Sequence, residues 1–307
     1  MNNCCMIYKK ILCVCSNEYQ YFFNKRNVVG VGLGYKITNG FCKFIPCIKV
    51  LVSTKIPPNE IPPNESIPEH FKGLITDVVQ SGNISASSLT TKARPVLGGY
   101  SIGPSSGIRS GSMACLVTDG KHYYILSNNH VLVYGNVLPI GTPVLQPGIE
   151  DGGQPLDDKV ATLSKYAQLK FITHKETPTN YIDCALAQVN DKSLVSSKLA
   201  IIGSIKGITS PVLGESVKKV GRSTGLTTGK ILSIGSTVSV NFKAGKCLFK
   251  NQITTTKMAE AGDSGSLLVN SSHHAVGLLF SGADSASCFN PINTVLDSLK
   301  VSIVTSH

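Results

Sequence analysis

Ala261-Gly262-Asp263-Ser264-Gly265-Ser266-Leu267-Leu268-Val269 sets a serine between two glycines at the head of an apolar run. A serine hydroxyl is a poor nucleophile until a base takes its proton and hydrogen-bond donors receive the charge that builds on the attacked oxygen. Glycines answer the second need. They let the backbone turn sharply, free N–H groups to converge, and put no Cβ in the path of an incoming carbonyl. The first need sends the reading upstream for an imidazole. Of the seven histidines (70, 122, 130, 174, 273, 274 and 307), only His130 directly follows a strand pattern, in Tyr123-Tyr124-Ile125-Leu126-Ser127-Asn128-Asn129-His130-Val131-Leu132. A rigid element holds the ring there and leaves it reachable. His273-His274 falls in a polar turn and reads as solvated.

The imidazole in turn needs a carboxylate to fix its tautomer. Asp183 opens the alternating run Tyr181-Ile182-Asp183-Cys184-Ala185-Leu186-Ala187-Gln188-Val189, so it is expected to be buried and to require a partner. Asp151, Asp157 and Asp158 lie in a polar, glycine-containing loop and read as solvated, while Asp263 is expected to turn away from Ser264 and serve its own loop.

The order His130, Asp183, Ser264 separates chymotrypsin-like sites from subtilisin-like and α/β-hydrolase ones. The segments LSNNHVL, YIDCALAQV and AGDSGSLLV resemble the three catalytic signatures of the chymotrypsin-like (trypsin-like, S1-type) serine proteases, nearest their bacterial branch. Val220-Gly221-Arg222-Ser223-Thr224-Gly225-Leu226-Thr227-Thr228-Gly229 is similar to a strand-turn motif of the streptogrisins. This resemblance runs over about residues 99–303. It implies an all-β fold of two six-stranded antiparallel barrels with the site in the cleft between them. It also implies Ser264 as nucleophile, His130 as base, Asp183 as its orienting group, and the N–H groups of Gly262 and Ser264 as the oxyanion hole. The substrate would be a protein or peptide, with no cofactor and no metal. At the position that often floors the specificity pocket stands Met258, and Phe280-Ser281-Gly282 would form its wall, so an uncharged side chain rather than Lys or Arg is expected before the scissile bond. A protease-fold binding module, and a latent protease switched on by an unknown partner or by N-terminal processing, are the competing readings. Activation by a new N-terminus pairing with Asp263, as in animal relatives, is not expected.

The rest of the 307 residues organises around this region. With 42% hydrophobic and 15% charged residues the chain should fold rather than stay disordered, and 29 glycines and 15 prolines break its apolar runs into short strands. Barrel one is expected at about 99–192, barrel two at about 211–290, and a C-terminal helix at about 291–299, with Asn290 as its N-cap and Pro291 in its first turn. Residues 83–98 read as a linker. Ahead of it, residues 28–82 read as a small α+β or β module that resembles an extension of bacterial trypsin-like proteins, and residues 1–27 as a separate N-terminal segment. Val29-Gly30-Val31-Gly32-Leu33-Gly34 is read as a glycine-kinked strand, since no P-loop lysine or opening helix follows.

A net charge of +11 comes from scattered doublets such as Lys9-Lys10, Lys25-Arg26 and Lys218-Lys219, which read as a solvated basic surface and not as a nucleic-acid groove. No run is long and apolar enough for a membrane-spanning helix. Of the ten cysteines, Cys4, Cys5, Cys13 and Cys15 lack the spacing of a zinc module, and Asn2 excludes N-myristoylation. Ile11 to Cys15 is too short for a signal-peptide core. Free thiols in a reducing cytoplasm are therefore expected.

Overall fold

The computed structural model describes residues 2–38, 40–81 and 89–305, and the chain divides into two compact units, Met1–Ala86 and Ser87–His307. In the first unit the glycine run lies in the strand Val28–Thr38, which pairs antiparallel with Phe41–Val52. Phe41–Val52 pairs in parallel with Leu74–Gln80, and His70–Phe71 closes the four-stranded sheet. A parallel pair needs a crossover of a dozen or so residues, and the proline-rich segment between residues 53 and 73 provides it. Helices Asn2–Asn17 and Tyr19–Phe23 precede the sheet. They bury Ile11, Val14 and Phe22 against Ile48 and Val50. Residues 2–23, expected to be part of a separate segment, are thus the helical layer of an α+β module. The side chains of Cys4 and Cys5 lie outside the described residues, as do residues 83–88 of the expected linker.

The rest of that linker belongs to the second unit. Leu89 and Val96 are buried, Val96–Gly98 forms a parallel pair with Val195–Leu199, and the Ala93 N–H donates to Gln146 Oε1 at 2.9 Å. The small polar residues around them disguised two core side chains.

Barrel one contains strands in the order Ser302–Ile303, Leu116–Thr118, Tyr123–Ser127, Ala185–Val189, Lys159–Tyr166, Pro143–Leu145, Ser101–Pro104, Gly111–Ser112. Two short strands thus extend the expected six. In barrel two the path Gly245–Thr256, Gly225–Phe242, Ser216–Gly221, Leu267–Asn270, His274–Gly282 is closed by Ala286–Pro291, which pairs with both end strands to complete a six-stranded ring. The small parallel strands Thr179–Asn180 and Gly207–Ile208 flank it. Helix Ile292–Leu299 follows, with Ile292, Val295, Leu296 and Leu299 turned into the core. Its cap is Pro291, not Asn290: Asn290 is a buried strand residue with a different task.

Candidate active site

Strand Tyr123–Ser127 ends one residue before the short helix Asn129–Leu132, which carries His130. Asp183 stands just ahead of the neighbouring strand Ala185–Val189 and is fully buried. The pairing of these two strands brings the residues together. His130 Nδ1 lies 2.5 Å from Asp183 Oδ2, and the His130 backbone N–H donates to Asp183 Oδ1 at 3.2 Å. A carboxylate only accepts, so the pair keeps the ring proton on Nδ1 and leaves the Nε2 lone pair available.

Amides hold Asp183 from behind. Asn128 Nδ2 donates to its carbonyl at 2.7 Å, and its own N–H donates to Asn290 Oδ1 at 2.9 Å. Asn290 Nδ2 donates in turn to Gln252 Oε1 at 2.7 Å. Sequence reasoning missed this bracing because Asn290-Pro291 looks like a helix start.

Ser264 and His130 line one cavity of about 590 Å³, together with Ala261, Gly262 and Phe280. Gly262 and Gly265 have φ of +96° and +93°, a region costly for any residue with a Cβ. A Cβ on Gly265 would fall 2.2 Å from Ser112 O, and one on Gly262 2.4 Å from Arg222 Nη1. Barrel one braces the same turn: the Ser112 N–H donates to Ser264 O at 2.7 Å and its Oγ to Gly262 O at 3.1 Å. Among the described residues neither the Gly262 nor the Ser264 N–H donates to a protein acceptor. Two free donors at a turn of this shape can receive a negative oxygen.

Asp263 turns into the protein, as expected, but its partner is one that the sequence hid. Lys219, half of a doublet read as solvated, is fully buried with Nζ 3.1 Å from Asp263 Oδ2. Asp263 also accepts from the N–H groups of Ser223, Thr224 and Glu260. Burial pushes the Asp263 carboxyl up; Lys219 and these donors outweigh it and hold the group below its usual range. Burial pushes Lys219 down, against the pull of Asp263. Asp151 and Asp158 are also not solvated. Asp151 accepts from Arg222 Nε at 2.5 Å and Nη2 at 2.7 Å, and Asp158 lies 2.5 Å from Lys92 Nζ.

The four expected pocket residues separate. Phe280 and Ser281 line the cavity, whereas Met258 is packed in the barrel-two core with Val217 and Ile231, and Gly282 lies beside Ala259. A residue with no signal in the sequence joins instead. Phe242, at the end of the long hairpin Gly225–Phe242/Gly245–Thr256, packs its ring 5.3 Å from that of His130. The eight cysteines with described side chains are all free. Burial pushes Cys115 up to about 12 and Cys247 to about 11, and Cys184 higher, so these three stay thiols at neutral pH.

The Nal1 C-terminal domain matches residues 189–290. Over 84% of its length the chain is 26% identical to Protein NARROW LEAF 1 of Oryza sativa subsp. japonica, and it spans 52% of that relative. Among solved structures, Thermobifida fusca Protease A aligns with 68% of this chain and 98% of its own at 21% identity and a TM-score of 0.50. Cellulomonas bogoriensis chymotrypsin aligns with 69% and 99% at 20% identity and a TM-score of 0.49. The chain has a chymotrypsin-like double β-barrel fold. The likeness to solved structures extends to that fold, and the sequence match is to a plant protein.

Proposed function

We propose that the chain is a serine endopeptidase. The observation that carries this reading is the His130–Asp183 pair at the edge of a cavity that Ser264 and two unused N–H groups also line. Ser264 Oγ attacks the peptide carbonyl carbon while His130 Nε2 takes its proton, and Asp183 stabilises the imidazolium. The carbonyl oxygen becomes an oxyanion held by the Gly262 and Ser264 N–H groups, each contributing about 3–4 kcal/mol to the transition state. Collapse of the adduct breaks the C–N bond, and His130 gives its proton to the departing amine. Water, deprotonated by His130, then attacks the ester; the C–Oγ bond breaks, the acid product leaves, and His130 returns the proton to Ser264 Oγ.

Two features favour this over a binding module or a form awaiting processing. A site used only for binding has no need of two free N–H donors beside a serine. Asp263 already has a buried cation in Lys219, so a newly cut N-terminus is not required to order the turn. With no acidic residue in the cavity lining, an uncharged residue before the scissile bond remains the proposal. Hydrolysis of a quenched-fluorescence peptide library is the test. Ser264→Ala should abolish cleavage, a fall of about 10⁶ in kcat by analogy with loss of a serine nucleophile elsewhere. Equal cleavage by the variant would overturn the proposal.

A further inference from the structure

The charges around the cavity do not balance. Five acidic side chains beside it are already engaged: Asp183 by His130, Asp263 by Lys219, Asp151 and Glu150 by Arg222, and Glu260 by Lys257 at 2.6 Å. The lining itself contains no Asp or Glu but two cations, Arg109 and Lys243. Both are exposed, and among the described residues neither side chain makes an ion pair or hydrogen bond.

The two come from opposite barrels. Arg109 precedes the barrel-one strand Gly111–Ser112, and its backbone is clamped: its N–H donates to Tyr134 Oη at 2.8 Å, and Tyr134 Oη donates to its carbonyl at 3.0 Å. Lys243 stands at the tip of the barrel-two hairpin, next to the Phe242 ring that rests on His130. A fixed backbone with a free cationic head suits a partner that arrives from solution. The walls between them, Ile108, Val137 and Val240 among them, are apolar.

We infer that this site takes peptides with acidic side chains flanking an uncharged residue at the scissile bond. The inference rests on the endopeptidase reading and names its substrate class. Arg109 and Lys243 each bind a substrate carboxylate at the rim, and the net charge of +11 adds a long-range attraction for acidic chains. Exposed pairs of this kind are worth about two- to fivefold each, so two acidic residues together should favour a substrate by about tenfold over its basic counterpart.

The experiment compares three fluorogenic peptides with one uncharged residue at the cleaved bond and Glu/Asp, Ser/Gly or Lys/Arg flanks. Fluorophosphonate labelling of Ser264 serves as a separate readout of the nucleophile. The wild type should give kcat/KM for the acidic peptide about tenfold above the basic one. That margin should shrink as salt rises from 0.1 to 1 M, where screening shortens from about 10 to 3 Å. Arg109→Glu/Lys243→Glu should reverse the order. A chain that labels at Ser264 and cleaves all three alike, or keeps its order after the double charge reversal, overturns the acidic preference and leaves the endopeptidase reading standing. A chain that neither labels nor cleaves any of the three overturns both.

Discussion

Asp183 is buried with its carboxylate against the His130 ring, so the change that most cleanly isolates its charge is Asp183→Asn. The amide has nearly the same shape but cannot stabilise an imidazolium, and kcat should fall by about 10⁴ with the folded structure retained by circular dichroism. Lys219 and Asp263 present the opposite case, in which charge serves structure. Lys219→Met leaves a buried carboxylate without its cation and should cost about 3–5 kcal/mol in urea unfolding, while Lys219→Met/Asp263→Asn should recover part of that loss. The pH dependence follows from the direction of the Asp263 shift. Its folded-state value is below the usual one, so the unfolded chain binds the extra proton first as pH falls. The contribution of Asp263 is complete at neutral pH, declines below about pH 4, and is lost once the folded-state value is passed. Asp263→Asn should flatten that acid limb.

At the scale of elements, the turn between Ser216–Gly221 and Gly225–Phe242 is tied to barrel one by a fork. Arg222 grips Asp151, its Nη1 lies on the side of Gly262 where a Cβ would be, and its backbone N–H donates to Ser112 Oγ at 2.9 Å. Arg222→Ala or Asp151→Asn should therefore loosen the Gly262 turn and lower kcat by about 100-fold with KM nearly unchanged, and Arg222→Lys should not restore it, since an ammonium cannot make the two-pronged contact. The same elements explain what could be read beforehand. The sequence draws attention to Ser264, His130 and Asp183 because each borders an apolar strand pattern, Ser264 and Asp183 at its start and His130 just past its end. Lys219 shares the inward face of its strand with Val217, but a lysine is so seldom buried that the Lys218-Lys219 doublet reads as solvated. Gly235, at φ +72°, reads in the sequence as a turn that would split Gly225–Phe242 in two, whereas the hairpin absorbs it through register shifts within one strand. Nothing local to Phe242 says that its ring meets His130, because that contact depends on how far an 18-residue strand reaches.

At the scale of the whole molecule, the division at Ala86/Ser87 makes truncation informative. A chain beginning at Ser87 should keep its urea midpoint for the double-barrel unit and its reactivity at Ser264. One beginning at Gly99 removes buried Leu89 and Val96 and the strand beside Val195–Leu199, and should lose more than about 3 kcal/mol. The division falls inside the expected linker 83–98, and the later part of that stretch belongs to the double-barrel unit because its Ser, Thr and Ala conceal how few apolar residues are needed to anchor a chain to a core. The most direct test of the central claim is intact-mass and peptide-mapping spectrometry after treatment with diisopropyl fluorophosphate. A single adduct on Ser264 in the full chain, absent in Ser264→Ala and formed far more slowly in His130→Ala, is the predicted result. A folded chain that gains no adduct, or gains it at Ser264 just as fast without the imidazole, would contradict the account.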